Sequence, residues 1–398
     1  MTSWSVGELL ERLTIFTEWA DNATCNHIEG KHLEADPLML SRRRMIAAAL
    51  LATAFRATGA VSAPPVGYPR SYRDIVAAAV KEKRVVVYAN SDLDGTADLI
   101  GDFMATYPGV EVVYRNLDAT DLYERFVSES AKNELSADLV WSSAMDQQAK
   151  LINDGYAQAY GSPEKPNLPG WAVWRNEGWG TTAEPIVFAY NRRLMPAADV
   201  PQTHDAFEHL LRTRPEAYRG KVATYDPALS GVGYLYLAQD VSVSRDTWKL
   251  IRALGHVAPA LYTSTSAMID KLETGEHLIA YNAIGSYVLE RMKRNPSLGI
   301  VLPTDYTHVM SRIAFIARDA RNPNAARLLL DYLLSQRGQS LLARRSLSPV
   351  RNDIRQTDVP APRPEQVQAI RVGQGLLANM DQLKRNRFLR EWRNALGL

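Results

Sequence analysis

Residues 84–104 read RVVVYANSDLDGTADLIGDFM, an apolar run followed by a polar loop and an amphipathic stretch. Arg84 to Tyr88 predicts a short buried β-strand. The apolar positions after the loop share one face of a predicted helix: Leu99, Ile100, Phe103 and Met104. Pro108-Gly109 ends that helix. The stretch therefore predicts a strand, a polar loop and a helix in that order.

Two further strands follow, over Val110–Tyr114 and Ala137–Trp141. Strands that alternate with helices indicate a parallel sheet and an α/β fold. Ligands of such sheets bind beyond the carboxyl ends of the strands. Several polar side chains stand at these ends and are candidate ligand contacts: Ser91, Asp92, Thr96, Ser142, Ser143 and Asp146. Thr96 and Asp146 are equally suited to cap the helices that follow.

The second half of the chain continues the alternation. Buried strands are predicted at Pro185–Asn191, Lys221–Tyr225 and His277–Asn282, and return strands at Leu298–Pro303 and Ser311–Ala317. Amphipathic patterns predict helices over 322–345 and 364–396. The chain therefore has enough elements for two α/β lobes.

An export signal is predicted at residues 39–63. Ser41-Arg-Arg-Arg-Met45 precedes the apolar run Ile46–Phe55 and a series of small residues. The apolar run is too short to span a bilayer, and the paired arginines are similar to a twin-arginine signal. We expect Met39 to be the true start and residues 1–38 to be a misassigned or disordered extension; a cytoplasmic helix followed by an anchor is the alternative. Residues 64–83 are predicted to form a leader and a first helix.

Composition excludes several functions. The only cysteine, Cys25, precedes the signal, so the exported chain has no disulfide and no thiolate site. With 46 Lys and Arg against 44 Asp and Glu, the charge gives no basis for nucleic-acid binding. The seven histidines lack metal-ligand spacing. We therefore expect no cofactor and no resident metal.

From about residue 80 to the C-terminus the chain resembles periplasmic solute-binding proteins of ATP-binding-cassette (ABC) importers. The resemblance rests on Ala144–Tyr156, Thr224–Tyr234 and Gly275–Asn282. It is closest to the subgroup of ferric-ion, thiamine, phosphonate and sugar-phosphate receptors. It implies the type 2 periplasmic-binding fold: two Rossmann-like lobes, a two-strand hinge and a ligand in the interlobe cleft. The implied parts are lobe 1 (84–183 and 306–345), lobe 2 (184–305) and C-terminal helices packing on both (346–398).

The same resemblance implies a periplasmic, monomeric, non-enzymatic receptor. Its ligand would be a small anionic organic solute such as a sugar phosphate, phosphonate or carboxylate. Its partner would be an ABC permease in the inner membrane. A membrane sensor kinase is an alternative partner that the sequence does not distinguish.

Ser230-Gly231-Val232-Gly233 begins a helix in the second lobe. Backbone N–H groups, a hydroxyl and the helix dipole suit this loop to an anion, and a plain helix cap is the alternative. Asp226 is a candidate for a ligand hydroxyl or amine, or caps the turn. Further candidates are at the hinge and in the second lobe: Thr182, Glu184, Asn282 and Ser286. Glu184 would bind a hydroxyl or pair with a lysine.

The alternatives to an organic-anion receptor are a ferric-ion receptor and a phosphatase. The ferric receptors use two adjacent tyrosines, as the resemblance implies, and no Tyr-Tyr pair occurs in this sequence. Asp92-Leu-Asp-Gly-Thr96 is similar to the nucleophile motif of haloacid-dehalogenase-like phosphatases. In that family the first aspartate follows the strand directly, whereas Ala89-Asn90-Ser91 intervene here.

The irregular stretch Trp171–Trp179 is a candidate lid over the cleft.

Overall fold

The computed structural model describes residues 65, 67–91, 93–354 and 360–398. The expectations for residues 1–38, for the signal at 39–63 and for Asp92 lie outside these residues. Within them, no helix is both long and apolar enough to cross a membrane.

The first sheet has six strands in the described part of the chain, in the spatial order β2-β1-β3-β12-β5-β4. β1 runs parallel to both β2 and β3, and β12 runs antiparallel to β3. The parallel half matches the alternation read from the sequence. The strands are β1 (Arg84–Ala89), β2 (Glu111–Asn116), β3 (Leu139–Ser142), β4 (Val173–Trp174), β5 (Gly178–Gly180) and β12 (Ile313–Ile316).

The second sheet has the order β13-β11-β6-β9-β7-β8, with β10 paired to β6. β7 is parallel to β8 and β9, whereas β6 is antiparallel to β9. Its strands are β6 (Glu184–Asn191), β7 (Val222–Tyr225), β8 (Ala260–Tyr262), β9 (Ile279–Ile284), β10 (Leu298–Val301), β11 (Thr307–Met310) and β13 (Val367–Ala369).

Helices surround the two sheets. In the first lobe they are α1 (Tyr72–Glu82), α2 (Leu93–Thr106), α3 (Ala119–Ala131), α4 (Met145–Asn153), α11 (Pro323–Leu334) and α12 (Gln336–Arg344). In the second lobe they are α5 (His204–Thr213), α6 (Pro215–Tyr218), α7 (Gly231–Val243), α8 (Thr247–His256), α9 (Thr265–Thr274) and α10 (Gly285–Met292). Helix α13 (Gln382–Leu396) follows near the C-terminus. The helical region predicted over 322–345 consists of α11 and α12. Ser335 between them is extended, and its side chain caps α12 by accepting from the Gly338 N–H.

Two short connections join the sheets and lie side by side. One leads from β5 to β6 and the other from β11 to β12. The Thr181 N–H donates to the Arg312 carbonyl at 2.9 Å, and the Arg312 N–H donates to Thr182 Oγ1 at 2.9 Å. These paired connections form the two-strand hinge that the sequence predicted.

The C-terminal region contacts both lobes. Pro349 forms a β-bridge with Thr182 at the hinge, and β13 extends the second sheet beside β11. The 3₁₀ segment Gln374–Met380 packs against α4, and α13 packs against α8.

Two boundary predictions were wrong. Residues 306–345 were assigned to the first lobe, but β11 lies in the second sheet beside β6. The region 364–396, predicted to be helical, is a 3₁₀ turn, the strand β13, a second 3₁₀ segment and α13. An edge of the second sheet pairs with Val367–Ala369, and this tertiary pairing overrides the local helical pattern.

Candidate functional site

Two adjoining cavities lie between loops of the two lobes. One has a volume of about 290 Å³ and the other about 580 Å³. Ser266 and Tyr287 line both, so the cavities are two chambers of one cleft. The loops that line them follow β1 and β3 in the first lobe and β7 and β9 in the second. They are therefore at the strand ends that the sequence indicated.

The smaller cavity, here called the arginine chamber, has four arginines in its wall. Its lining is Ser91, Gly95, Thr96, Ser266, Ser286, Tyr287, Glu290, Arg291, Arg294, Arg312, Arg345 and Leu347. Arg312 is only 1% exposed and comes from the hinge. Its Nη1 donates to Ser91 Oγ at 2.7 Å, and its Cζ lies 5.6 Å from the centre of the Tyr287 ring.

Arg312 is held by a buried carboxylate. Its Nε lies 2.9 Å from Glu184 Oε1, and Glu184 is fully buried. Glu184 also accepts hydrogen bonds from the hydroxyls of Thr182 and Ser286. Burial lowers the pKa of Arg312, but Glu184 and Tyr287 together raise it by more, so the guanidinium stays charged. The network fixes a cation at the base of the cleft.

The larger cavity, here called the hydroxyl chamber, is lined mainly by uncharged polar groups. These include Asn90, Asn116, Thr120, Ser143, Gln147, Tyr225, Ser230, Thr263, Ser264, Thr265 and Ser266, and one carboxylate, Asp118, lines the same chamber. Asn90 and Ser143 bind each other reciprocally: Asn90 Nδ2 donates to Ser143 Oγ at 2.8 Å, and the Ser143 N–H donates to Asn90 Oδ1 at 2.9 Å. Asp118 caps α3 by accepting from the N–H groups of Thr120 and Asp121.

The start of α7 also faces the hydroxyl chamber, through Ser230 and Gly231. Ser230 Oγ accepts from the Gly233 N–H at 3.2 Å and donates to the Thr263 carbonyl at 3.1 Å. The hydroxyl proton is therefore already used inside the protein. The serine acts as the helix cap that the sequence offered as the alternative to an anion contact.

The structure brings six of the predicted ligand residues together. They line the two chambers: Ser91, Thr96 and Ser286 in the arginine chamber, and Ser143, Ser230 and Gly231 in the hydroxyl chamber.

Three other predicted residues lie outside both chambers, and their side chains accept from nearby backbone N–H groups. Ser142 Oγ accepts from the Ala144 N–H at 3.1 Å. Asp146 Oδ1 accepts from the Gln147 N–H, and burial raises the pKa of its carboxyl to about 6. Asp226 Oδ1 accepts from the Ala228 N–H at 2.8 Å and closes the turn before α7.

Four more predicted residues also serve the scaffold. Gly233 lets α7 approach β7, because a Cβ there would lie 2.4 Å from the Cβ of Tyr225. Asn282 adopts a positive φ of 62° and donates to the buried Asp240 carboxylate at 2.6 Å. Thr182 and Glu184 lie behind Arg312 rather than in the cleft wall. Glu184 pairs with an arginine, not with the predicted lysine.

Sequence reasoning missed several charged and polar residues that line the cleft. Arg312, Arg294 and Tyr287 line the arginine chamber, and Asn90 and Asp118 line the hydroxyl chamber. Arg312 did carry a signal: Ser311-Arg312 immediately precedes a buried return strand, where a charged residue is unusual. The proposed Trp171–Trp179 lid is not part of the lining of either chamber, and Trp179 is buried in β5.

Within the described residues, no group of three His, Cys, Asp or Glu side chains is arranged to hold a metal ion. The Tyr281 hydroxyl donates to Asp240 Oδ2 at 2.7 Å. Tyr281 is buried and does not line either chamber.

Two lobes that enclose a polar cleft and are joined by two adjacent connections define a ligand-capturing binding protein. A family model for bacterial extracellular solute-binding proteins matches residues 98–368. The chain belongs to this family, and the family and fold class expected from the sequence are confirmed.

Solved structures agree. The substrate-binding protein of an ABC transporter from Agrobacterium tumefaciens is 34% identical, with a TM-score of 0.73; the match covers 79% of this chain and 94% of that one. Iron-bound HitA from Pseudomonas aeruginosa is 18% identical, with 79% and 99% covered and a TM-score of 0.63. The periplasmic binding protein AfuA from Actinobacillus pleuropneumoniae, with fructose-6-phosphate bound, is 19% identical, with 79% and 99% covered and a TM-score of 0.60. The last two show the fold alone.

A curated protein of Haemophilus influenzae is 24% identical over 221 residues, and the match spans 62% of that relative's length.

Proposed function

We propose that the chain is the periplasmic substrate-binding component of an ABC importer and captures a small anionic organic solute. The solute would be a sugar phosphate, a phosphonate or a carboxylate. The observation that carries this is Arg312, a buried guanidinium in the wall of a cleft that both lobes line. Arginine suits planar and tetrahedral oxyanions because it offers several N–H donors in a fixed fork.

Six residues are the proposed ligand contacts: Ser91, Thr96, Ser143, Ser230, Gly231 and Ser286. They come from both lobes, so a bound solute contacts the closed form more fully than the open form. Differential contact of this kind shifts the equilibrium toward closure about the hinge. The closed form is then the species that an inner-membrane permease recognises.

The first test is a thermal-shift screen of the exported chain, beginning at residue 64. The screen covers sugar phosphates, phosphonates, dicarboxylates, neutral sugars and amines. Saturation at 100 times the dissociation constant adds about 2.7 kcal/mol to the free energy of unfolding. We expect protection by organic anions and none by neutral sugars. Protection by amines alone, or turnover of any compound in the screen, would contradict the proposal.

The membrane partner, the export route and the oligomeric state are tested separately. Cross-linking in membranes separates the two candidate partners, since an importer component is recovered with a permease and a sensory component with a sensor kinase. Replacing Arg42 and Arg43 by lysine blocks export if the twin-arginine route is used. Light scattering of the purified chain tests the expected monomer.

A further inference from the structure

The two chambers of the cleft differ in charge. We propose that the arginine chamber binds the anionic group of the solute and that the hydroxyl chamber binds an uncharged, hydroxyl-bearing body. This deepens the proposed function and rests on it. The substrate class would then be a polyhydroxylated compound with a single acidic group at one end.

The arginine chamber is built for negative charge. Its lining carries four arginines and one glutamate, Glu290, which pairs with Lys293 at 2.6 Å. Arg291 and Arg345 are anchored from outside the chamber: Arg291 Nη2 lies 2.6 Å from Asp270, and Arg345 Nε lies 2.9 Å from Asp98. These ion pairs, together with that of Arg291 and Glu273, hold the two guanidinium groups in place.

Two further features of this chamber favour an oxyanion. Helix α10 begins at Gly285 without a side-chain cap, and its first-turn residues Ser286 and Tyr287 line the chamber. Unsatisfied first-turn N–H groups and a guanidinium together favour phosphate or carboxylate. Arg294 is exposed and makes no side-chain hydrogen bond or ion pair with any residue that the structure describes.

The hydroxyl chamber has the opposite character. Asp118 is the only charged side chain among the described residues of its lining. An anion there would face a carboxylate and meet no cation. The helix start that was predicted to bind the anion offers no free hydroxyl proton, because Ser230 donates to the Thr263 carbonyl. Serine and threonine hydroxyls and the amide of Asn116 are suited instead to an uncharged polyol.

Size supports the same division. The hydroxyl chamber has a volume of about 580 Å³ and the arginine chamber about 290 Å³. Tyr287 and Ser266 lie where the two meet. A solute that fills both chambers must therefore pass Tyr287, with its smaller and charged part beside Arg312.

The test uses selenate and inorganic phosphate as probes, so that it does not depend on the identity of the solute. Crystals of the exported chain are soaked in selenate, and the anomalous selenium signal locates the anion. In solution, phosphate affinity is measured for three variants. Arg294→Gln removes a charge from the arginine chamber, Asp118→Ser removes the carboxylate while keeping a helix cap, and Arg252→Gln is a matched control on the exposed surface of α8.

We expect selenate beside Arg312 and Ser286. Phosphate affinity should fall by about tenfold in Arg294→Gln, stay at the wild-type value in Arg252→Gln, and not fall in Asp118→Ser. Selenate beside Gly231, selenate in neither chamber, or equal affinities in Arg294→Gln and Arg252→Gln would overturn the assignment. These outcomes are distinct from failure of the proposed function, in which no organic solute protects the wild-type chain.

Discussion

Arg312 Nε lies 2.9 Å from Glu184 Oε1, although the two residues are 128 positions apart in the chain. Arg312 lies in the connection between β11 and β12, and Glu184 is the first residue of β6, directly after the other connection. Both are almost fully buried. The pair therefore joins the two strands of the hinge and presents the remaining guanidinium N–H groups toward Ser91 and Tyr287. One arginine thus contributes to hinge stability and to the cleft wall.

Breaking this pair is expected to destabilise the chain strongly. Arg312→Met leaves Glu184 buried without its cation, and Glu184→Gln leaves Arg312 without its anion. Removing one partner of a buried pair costs about 3–5 kcal/mol. The double variant should lose less than the sum of the single losses, because neither charge is then left alone. Urea unfolding at neutral pH measures the free energy of unfolding of the two single variants and the double variant.

The exposed pair Arg219–Glu216 provides the control for the hinge. Arg219→Met should leave the free energy of unfolding near the wild-type value, since water screens exposed pairs. Strict additivity of the two hinge substitutions would show that the pair is not coupled.

Two glycines at the start of α7 are expected to differ in how much an alanine substitution changes the stability of the protein. A Cβ at Gly233 would lie 2.4 Å from Tyr225 Cβ, whereas a Cβ at Gly231 meets no atom within 4 Å. Gly233→Ala should therefore cost about 1–3 kcal/mol of stability or more, and Gly231→Ala should be neutral or slightly stabilising. The melting temperatures of the two variants measure this difference in stability. Equal stability of both would contradict the close approach of α7 to β7.

Local patterns predicted the scaffold well where apolar runs are short and well bounded. The strand expected over Arg84–Tyr88 is β1, one residue longer, and that expected over Pro185–Asn191 is β6, also one residue longer. Strands of this kind can be recognised from the sequence alone, because burial on both faces requires continuous apolar residues. The loops after them line the two chambers, as Ser91, Ser143, Ser230 and Ser286 show, and their contact with a ligand stays a prediction.

Long-range pairing could not be predicted in the same way. Whether Glu184 binds a ligand or pairs with a cation depends on Arg312, which is 128 positions away in the sequence. Asn282 is a second example. Its amide donates to Asp240 on α7, and its position in the strand β9 does not reveal this contact. The sequence therefore predicted the loops of the site more reliably than the direction of each side chain.

Asp331 should make stability depend on pH. It is fully buried on α11 and accepts hydrogen bonds from the hydroxyls of Tyr72, Tyr160 and Ser162. Burial raises the pKa of this carboxyl to about 7, although the hydroxyls lower it. In the unfolded chain the pKa is about 3.9. The folded state therefore binds the proton more tightly, and the stability that this provides is lost as pH rises from about 4 to 7.

Asp331→Asn should remove this contribution to the pH dependence, and Asp319→Asn, at an exposed position, should leave it unchanged. Urea unfolding at a series of pH values measures the slope for each chain. A wild-type chain that gains stability relative to Asp331→Asn as pH rises would show that Asp331 is ionised in the folded state.

Fe(III) should not bind in the cleft. Fe(III) is a hard ion that suits phenolate oxygens, and the tyrosines near the cleft are committed to other contacts. The Tyr225 hydroxyl lies 2.6 Å from Thr265 Oγ1, and burial raises the pKa of Tyr225 above its usual value, which disfavours the phenolate. Arg312 lies near the Tyr287 ring, so a trivalent cation there would meet a fixed positive charge. We expect ferric citrate to give neither a visible iron–tyrosinate band nor thermal protection, and EDTA to leave the melting temperature unchanged. A coloured complex that is lost in Tyr287→Phe but kept in the control Tyr190→Phe would instead place the metal in the cleft.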